Sequence, residues 1–199
     1  DVLPDMVAET MEEISKITGR TYKPFTYYGT EDAENIVIAM GSVTETVKEC
    51  VDYLLSQGEK VGVITVHLYR PFSAKYLFNV LPKSVKRICV LDRTKEPGAN
   101  GEPLYMDIRD AFYGAELQPM IIGGRYGLSS KDTTPAQMLA VFENLKAAQP
   151  KDHFTVGIND DVTMLSLPVG EEISMAKAGT FEALFFGLGA DGTVGANKN

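Results

Sequence analysis

Residues 36–58 read IVIAMGSVTETVKECVDYLLSQG, and this stretch decides the fold. Its first five residues form a short apolar run typical of a buried strand. After Gly41 and Ser42, apolar residues recur at helical spacing from about Thr44 to Gln57, and Gly58 supplies a stop. The stretch is therefore a strand followed by a helix, the unit from which parallel sheets are built.

The same unit recurs along the chain. Further strands are predicted at Val61 to Tyr69, Arg87 to Leu91 and Pro119 to Ile122, and helices at Ala74 to Val80, Leu104 to Tyr113 and Pro135 to about Ala147. Phe25 to Tyr28 adds a candidate edge strand, and a helical pattern precedes it up to Gly19. Short apolar strands alternating with amphipathic helices predict an α/β fold with three layers, α/β/α, around a mostly parallel sheet.

Beyond Pro150 the pattern changes. Residues 151–170 contain extended apolar stretches with no helix between them, so we expect a connector that adds little to the core. Thr180 to Phe186 then has the composition of another strand, and a glycine-rich segment follows it. Because such a turn normally leads into a helix and further strands, we expect the chain to be a piece of a longer polypeptide that ends just inside its next domain.

Composition limits the function classes. The 199 residues carry a formal net charge of −8, with 44% hydrophobic and 23% charged residues. This balance is typical of a soluble globular protein and disfavours nucleic acid or an anionic membrane as the partner. The two cysteines show no spacing for a metal or cluster, so we expect reduced, buried thiols, no metal site in this chain and a cytoplasmic location.

The glycine-rich segment is the strongest chemical motif. Gly187, Gly189 and Gly192 satisfy the GxGxxG spacing directly after the candidate strand. Successive small residues leave backbone N–H groups free to approach phosphate oxygens. Three interpretations remain open on spacing alone: a loop that holds a phosphate, a dinucleotide site, and a structural turn.

Charged residues follow the predicted strands. In an open α/β sheet ligands bind at the carboxyl edge, but Arg and Asp at the start of loops also pair across domain boundaries. We therefore expect an interface between domains or subunits here rather than a catalytic site. The candidate interface residues are Arg70, Asp92, Arg93, Lys95 and Arg125.

Several motifs together resemble pyruvate:ferredoxin (or flavodoxin) oxidoreductase, over nearly the whole chain and in the same order. The strings LDRTKEPG and GADGTVGANK are the most specific of them. The motifs are residues 27–29 (YYG), 39–42 (AMGS), 68–72 (LYRPF), 91–98 (LDRTKEPG), 123–131 (GGRYGLSSK) and 187–198 (GLGADGTVGANK).

The resemblance implies a division of the chain. It makes residues 1–23 a helix and linker from a preceding domain, 24–150 the second domain, similar to the C-terminal domain of transketolase, 151–178 a connector, and 179–199 the truncated start of the third domain. It also places coenzyme A (CoA) contacts in the terminal loop. The residues implied there are Gly189, Asp191, Gly192, Thr193, Val194, Gly195, Asn197 and Lys198.

The resemblance also implies an activity for the longer protein. Such an enzyme uses thiamine diphosphate, Mg²⁺ and [4Fe-4S] clusters to convert pyruvate and CoA to acetyl-CoA and CO₂, and passes electrons to ferredoxin or flavodoxin. We expect the longer protein to be a homodimer, and this piece to contain no catalytic residue, to bind no cofactor and to be inactive by itself. The alternatives are another 2-oxoacid:ferredoxin oxidoreductase and a free-standing dinucleotide-binding domain.

Overall fold

The structure is a computed structural model that describes residues 2–159, 162–176 and 179–198. Part of the expected connector, residues 160–161 and 177–178, lies outside the described residues. The strands are β1 (Phe25–Gly29), β2 (Asn35–Met40), β3 (Val61–Val66), β4 (Arg87–Asp92), β5 (Met120–Tyr126) and β6 (Phe154–Val156). The helices are α1 (Leu3–Thr18), α2 (Val43–Ser56), α3 (Ala74–Val80), α4 (Pro103–Phe112), α5 (Pro135–Lys146) and α6 (Thr193–Lys198).

The six strands form one sheet in the order β1-β3-β2-β4-β5-β6. Only β1 is antiparallel to its neighbour, as a short strand at the edge can be. In the central strands successive side chains point to opposite faces, and both faces are covered. Helices α2 and α5 pack on one face against Val37 and Ala39, and α3 and α4 pack on the other against Ile36 and Ile38. The mostly parallel three-layer α/β fold is confirmed.

Strand β5 is longer than the sequence suggested. We expected it to end at Ile122, but the ladder with β4 continues to Arg125. Each glycine makes room for a ring: a Cβ on Gly123 would lie 2.8 Å from the Tyr105 ring, and one on Gly124 would lie 2.2 Å from the Phe154 ring. The glycines therefore serve packing on the two faces rather than chain reversal.

The segment after Pro150 does more than connect. Phe154 to Val156 forms β6, which lies parallel to β5, and both Phe154 and Val156 are fully buried. The outer edge of β6 is covered in turn, because Thr155 accepts from the Leu167 amide at 2.8 Å and donates to Leu165 O at 3.3 Å. The expectation that this segment adds little to the core was wrong, since a three-residue strand is too short for its pattern to be recognised in sequence.

The predicted strand at Thr180 to Phe186 is absent from the described residues. This segment forms no regular secondary structure and pairs with no neighbour there, and Phe181 and Phe186 are 90% and 87% exposed. A strand is stabilised by hydrogen bonds to a second strand, so apolar composition alone does not form one. None of the described helices combines the length and apolar content needed to span a bilayer.

Candidate functional site

A cleft of about 700 Å³ opens at the carboxyl edge of the sheet, beside the ends of β2 and β4. The chain leaves β2 for the face that carries α2, and leaves β4 for the opposite face, which carries α4. The two loops therefore diverge and leave a crevice between them. This is the position at which open α/β sheets bind ligands.

Asp92, the last residue of β4, closes one wall of this cleft. It is 4% exposed, and its two carboxylate oxygens accept from the backbone N–H groups of Leu104 and Tyr105 at 3.0 and 3.1 Å. These are unsatisfied donors of the first turn of α4, so Asp92 caps that helix from outside it. Burial raises the pKa of Asp92, and the two backbone hydrogen bonds oppose that shift.

Arg125, at the end of β5, binds the start of the same helix. Its Nη1 donates to Glu102 Oε1 at 3.0 Å, and Glu102 immediately precedes the first residue of α4. Both side chains are largely buried, with exposures of 17% for Arg125 and 5% for Glu102. The other oxygen of Glu102 lies 4.0 Å from His153 Nδ1 and has no hydrogen bond among the described residues.

Arg70 also contacts α4, further along. Its Nη2 lies 2.8 Å from Asp107 Oδ2, and its guanidinium stacks on the Tyr69 ring at 4.0 Å from the ring centre. Three of the five candidate interface residues, Arg70, Asp92 and Arg125, therefore hold the first half of α4 against the carboxyl edge.

Arg93 and Lys95 lie in the loop after β4 and are both exposed. Arg93 lines the cleft and donates from Nε to the carbonyl oxygen of Gly127 at 2.9 Å, which ties the loops after β4 and β5 together. Lys95 does not line the cleft. The structure thus brings Asp92 and Arg93 to the cleft and leaves the other three candidates outside it.

The terminal loop lies on the surface, and its turn is organised by Asp191. One Asp191 oxygen accepts from the Leu188 amide at 2.7 Å and the other from the Thr193 amide at 3.0 Å. Hydrogen bonds from Thr193 and Leu188 lower the pKa of Asp191 to about 2. The carboxylate thus occupies amides that the glycine spacing offered to a phosphate. The side chains of Val194, Asn197 and Lys198 lie outside the described residues.

Sequence reasoning missed two residues at this edge. Glu102 was not singled out, although an acidic residue directly before Pro103 at a helix start is a usable signal. Tyr126 appeared only as part of a motif, yet it lines the cleft and is 5% exposed. Nothing in the sequence alone separates such a tyrosine from an ordinary core residue.

Comparison with known proteins identifies the family. The family model "Pyruvate:ferredoxin oxidoreductase core domain II" matches residues 33–138. The chain belongs to this family. The match includes α2, the cleft loops and α4, so the elements that build the candidate site lie in the core domain that defines the family.

Curated relatives agree over nearly the whole chain. A pyruvate-flavodoxin oxidoreductase of Enterobacter agglomerans is 57% identical over 198 residues, or 99% of this chain. A pyruvate:ferredoxin oxidoreductase of Moorella thermoacetica is 54% identical over 196 residues, or 98% of this chain. The chain spans only about 17% of the length of either relative.

Among solved structures the likeness is looser. A 2-oxoglutarate:ferredoxin oxidoreductase from Magnetococcus marinus is 18% identical, with a TM-score of 0.45, and the likeness covers 66% of this chain and 21% of that one. A split-gene transketolase is 14% identical, with a TM-score of 0.44, over 64% of this chain and 40% of that one.

Proposed function

We propose that this chain is the second core domain, with the start of the third, of a longer pyruvate oxidoreductase. The longer protein would convert pyruvate and CoA to acetyl-CoA and CO₂, and the electron pair would pass to ferredoxin or flavodoxin. The observation that carries the proposal is the family match over residues 33–138, with relatives at 50–57% identity that are named for this activity. We further propose a cytoplasmic homodimer.

Within that protein, this piece acts as a scaffold. The charged side chains at the carboxyl edge support this role, because Arg70, Asp92 and Arg125 are engaged with α4. An interface role for these residues and for Arg93 and Lys95 remains part of the proposal. Lys95 is the most direct candidate, because it is exposed and forms no ion pair among the described residues.

The cofactors of such an enzyme would be held elsewhere in the longer protein. A [4Fe-4S] cluster requires several cysteine ligands, whereas Cys50 and Cys89 are single buried thiols on α2 and β4. The described residues contain no cluster of three or more His, Cys, Asp or Glu side chains suited to a metal. Two single, buried thiols therefore do not fit a [4Fe-4S] cluster, and no step of the reaction is assigned to this chain's residues.

An activity assay tests both parts of the proposal. The longer protein, supplied with thiamine diphosphate and Mg²⁺, should reduce a viologen dye when both pyruvate and CoA are present. The 199-residue chain under the same conditions should give the blank rate. Turnover by the short chain would overturn the scaffold role, and a longer protein inactive with pyruvate but active with another 2-oxoacid would overturn the substrate.

We also propose that the loop from Gly189 to Lys198 contacts CoA in the longer protein. The glycine spacing supports this contact. A phosphate group would have to displace the Asp191 carboxylate from the amides of Leu188 and Thr193. Replacing Lys198 with Ala should raise the apparent KM for CoA by roughly 10- to 150-fold, the value of one charge-assisted contact. Lys83→Ala, at an exposed position in the segment before β4, is the control. Equal CoA dependence in both variants would remove Lys198 from the site.

A further inference from the structure

The cleft beside the ends of β2 and β4 is lined mainly by groups that donate hydrogen bonds. Hydroxyl groups line it from several separate loops, and the cations Arg93 and Lys131 join them. Two carboxylates are present, Asp92 and Asp132. Asp92 is already committed to the amides of α4, so Asp132 is the only lining carboxylate that has no hydrogen bond among the described residues.

The two cations retain free donors. Arg93 uses Nε to hold the Gly127 carbonyl, and its Nη nitrogens bond to nothing in the described residues. Lys131 is exposed and forms no ion pair in the described parts of the chain. The two cations offset the two lining carboxylates, so this crevice is close to neutral on a protein of net charge −8.

A buried tyrosine supplies an independent observation. Tyr126 is 5% exposed and lines the cleft, yet its hydroxyl group has no hydrogen-bond partner in the described residues. The ring is buried, whereas the hydroxyl oxygen is accessible to solvent at the cleft. Burial raises the pKa of Tyr126, so the group stays protonated at neutral pH and is available as a donor. The hydroxyl group is therefore free to donate a hydrogen bond to a ligand in the cleft, in place of the bond it would otherwise donate to water.

We propose that this cleft binds a small organic phosphate. The volume of about 700 Å³ is in the range of small-molecule sites and accommodates a compound of mononucleotide size. The guanidinium group of Arg93, the ammonium group of Lys131 and the Tyr126 hydroxyl would bind the phosphate oxygens, and the apolar side chains of Met40, Val43 and Leu91 would cover the rest. The position at the switch point of the sheet is where such ligands bind in other doubly wound folds.

The test uses the 199-residue chain, with AMP, inorganic phosphate and adenosine as probes. Calorimetry should show saturable binding of AMP that inorganic phosphate displaces, and adenosine should bind at least 10-fold more weakly. NMR amide shifts should concentrate at residues 41–46, 92–94 and 126–133. Adenosine binding as tightly as AMP, or no saturable binding of AMP or phosphate, would overturn the proposal.

Variants separate the site from general effects. Tyr126→Phe removes the hydroxyl and keeps the ring in the core, and should weaken AMP binding by roughly 2- to 12-fold without lowering the melting temperature by more than a few degrees. Arg93→Ala should weaken it by roughly 10- to 150-fold. Arg20→Ala, which removes an exposed guanidinium outside the cleft, should leave it unchanged. Equal AMP affinity in Tyr126→Phe, Arg93→Ala and the unaltered chain would overturn the assignment.

Discussion

Arg125 and Glu102 form a largely buried ion pair, with Arg125 Nη1 3.0 Å from Glu102 Oε1, that ties the end of β5 to the start of α4. The two residues are 23 positions apart in the chain, so the pair is a tertiary contact rather than a local one. Together with Asp92 and Arg70, it anchors α4 at the carboxyl edge.

Removing the cation of this pair should destabilise the protein. Arg125→Ala leaves Glu102 buried with no cation bonded to it, and should lower the free energy of unfolding by about 3–5 kcal/mol. Denaturant unfolding followed by circular dichroism measures this loss. Adding Glu102→Gln removes the stranded charge and should recover part of it. If the free energy of unfolding of Arg125→Ala alone lies within about 1 kcal/mol of that of the unaltered chain, the pair has no structural role.

Asp92→Asn tests the cap on α4. An amide can accept from only one of the Leu104 and Tyr105 N–H groups, and its NH₂ group faces the other, so the variant should lose about 1–3 kcal/mol of stability. Control for a general effect comes from Asp110→Asn, an exposed position on the same helix. Equal losses in the two variants would show that the cap contributes nothing.

The stability difference between Asp92→Asn and the unaltered chain should depend on pH. Because burial raises the folded-state pKa of Asp92 above its ordinary 3.8, the folded state binds more protons than the unfolded state as this group titrates. Its contribution to the free energy of unfolding therefore falls as the pH rises from 3.8 through the folded pKa, and is constant above it. Subtracting the Asp92→Asn curve from that of the unaltered chain isolates this slope. A difference that rises with pH would contradict the sign.

Both thiols should be unreactive in the folded protein. Burial raises the pKa of Cys50 to about 12 and raises that of Cys89 well above its ordinary value, so almost no thiolate forms at pH 8. A chromogenic disulfide reagent should react with neither thiol until guanidinium unfolds the chain, and then with both. Rapid reaction of one thiol before unfolding would contradict this prediction.

Truncation tests the role of β6. Ending the chain at Pro150 removes the buried side chains of Phe154, Val156 and Leu167, and should destabilise the rest by more than about 3 kcal/mol, since loss of one buried phenylalanine side chain costs about that much. Ending it at Ala176 keeps all three and should leave the melting temperature within a few degrees. If both truncated chains melt alike, β6 is dispensable.

The sequence predicted the repeated strand and helix units because each is long enough to show its period. The helix predicted to begin at Pro135 begins there, and Thr134 Oγ1 accepts from the Gln137 amide at 3.4 Å. The sequence could not show which segments pair with a neighbouring strand. Residues 180–186 have strand composition but no neighbouring strand in the described parts of the chain, whereas β6 has a neighbour but only three residues.

Tertiary contacts also limited what the sequence could predict about the candidate site. The residues that end the strands were identified, and the structure shows that Asp92 and Arg125 are satisfied by α4. This outcome depends on where α4 packs, which no local pattern encodes. That the Tyr126 hydroxyl faces the cleft, without a hydrogen bond to any described residue, likewise becomes visible only once its surroundings are known.

The backbone hydrogen bonds of Thr155 also limit how two copies of the protein could associate through the edges of the sheet. With residues 165–167 already bonded along β6, no strand from another molecule can add to that side of the sheet without displacing them. At the opposite side, β1 is five residues long and its outer edge is free of any ladder in the described residues. Growth by strand addition is therefore directed to β1, and a proline introduced there should suppress concentration-driven aggregation if such growth causes it.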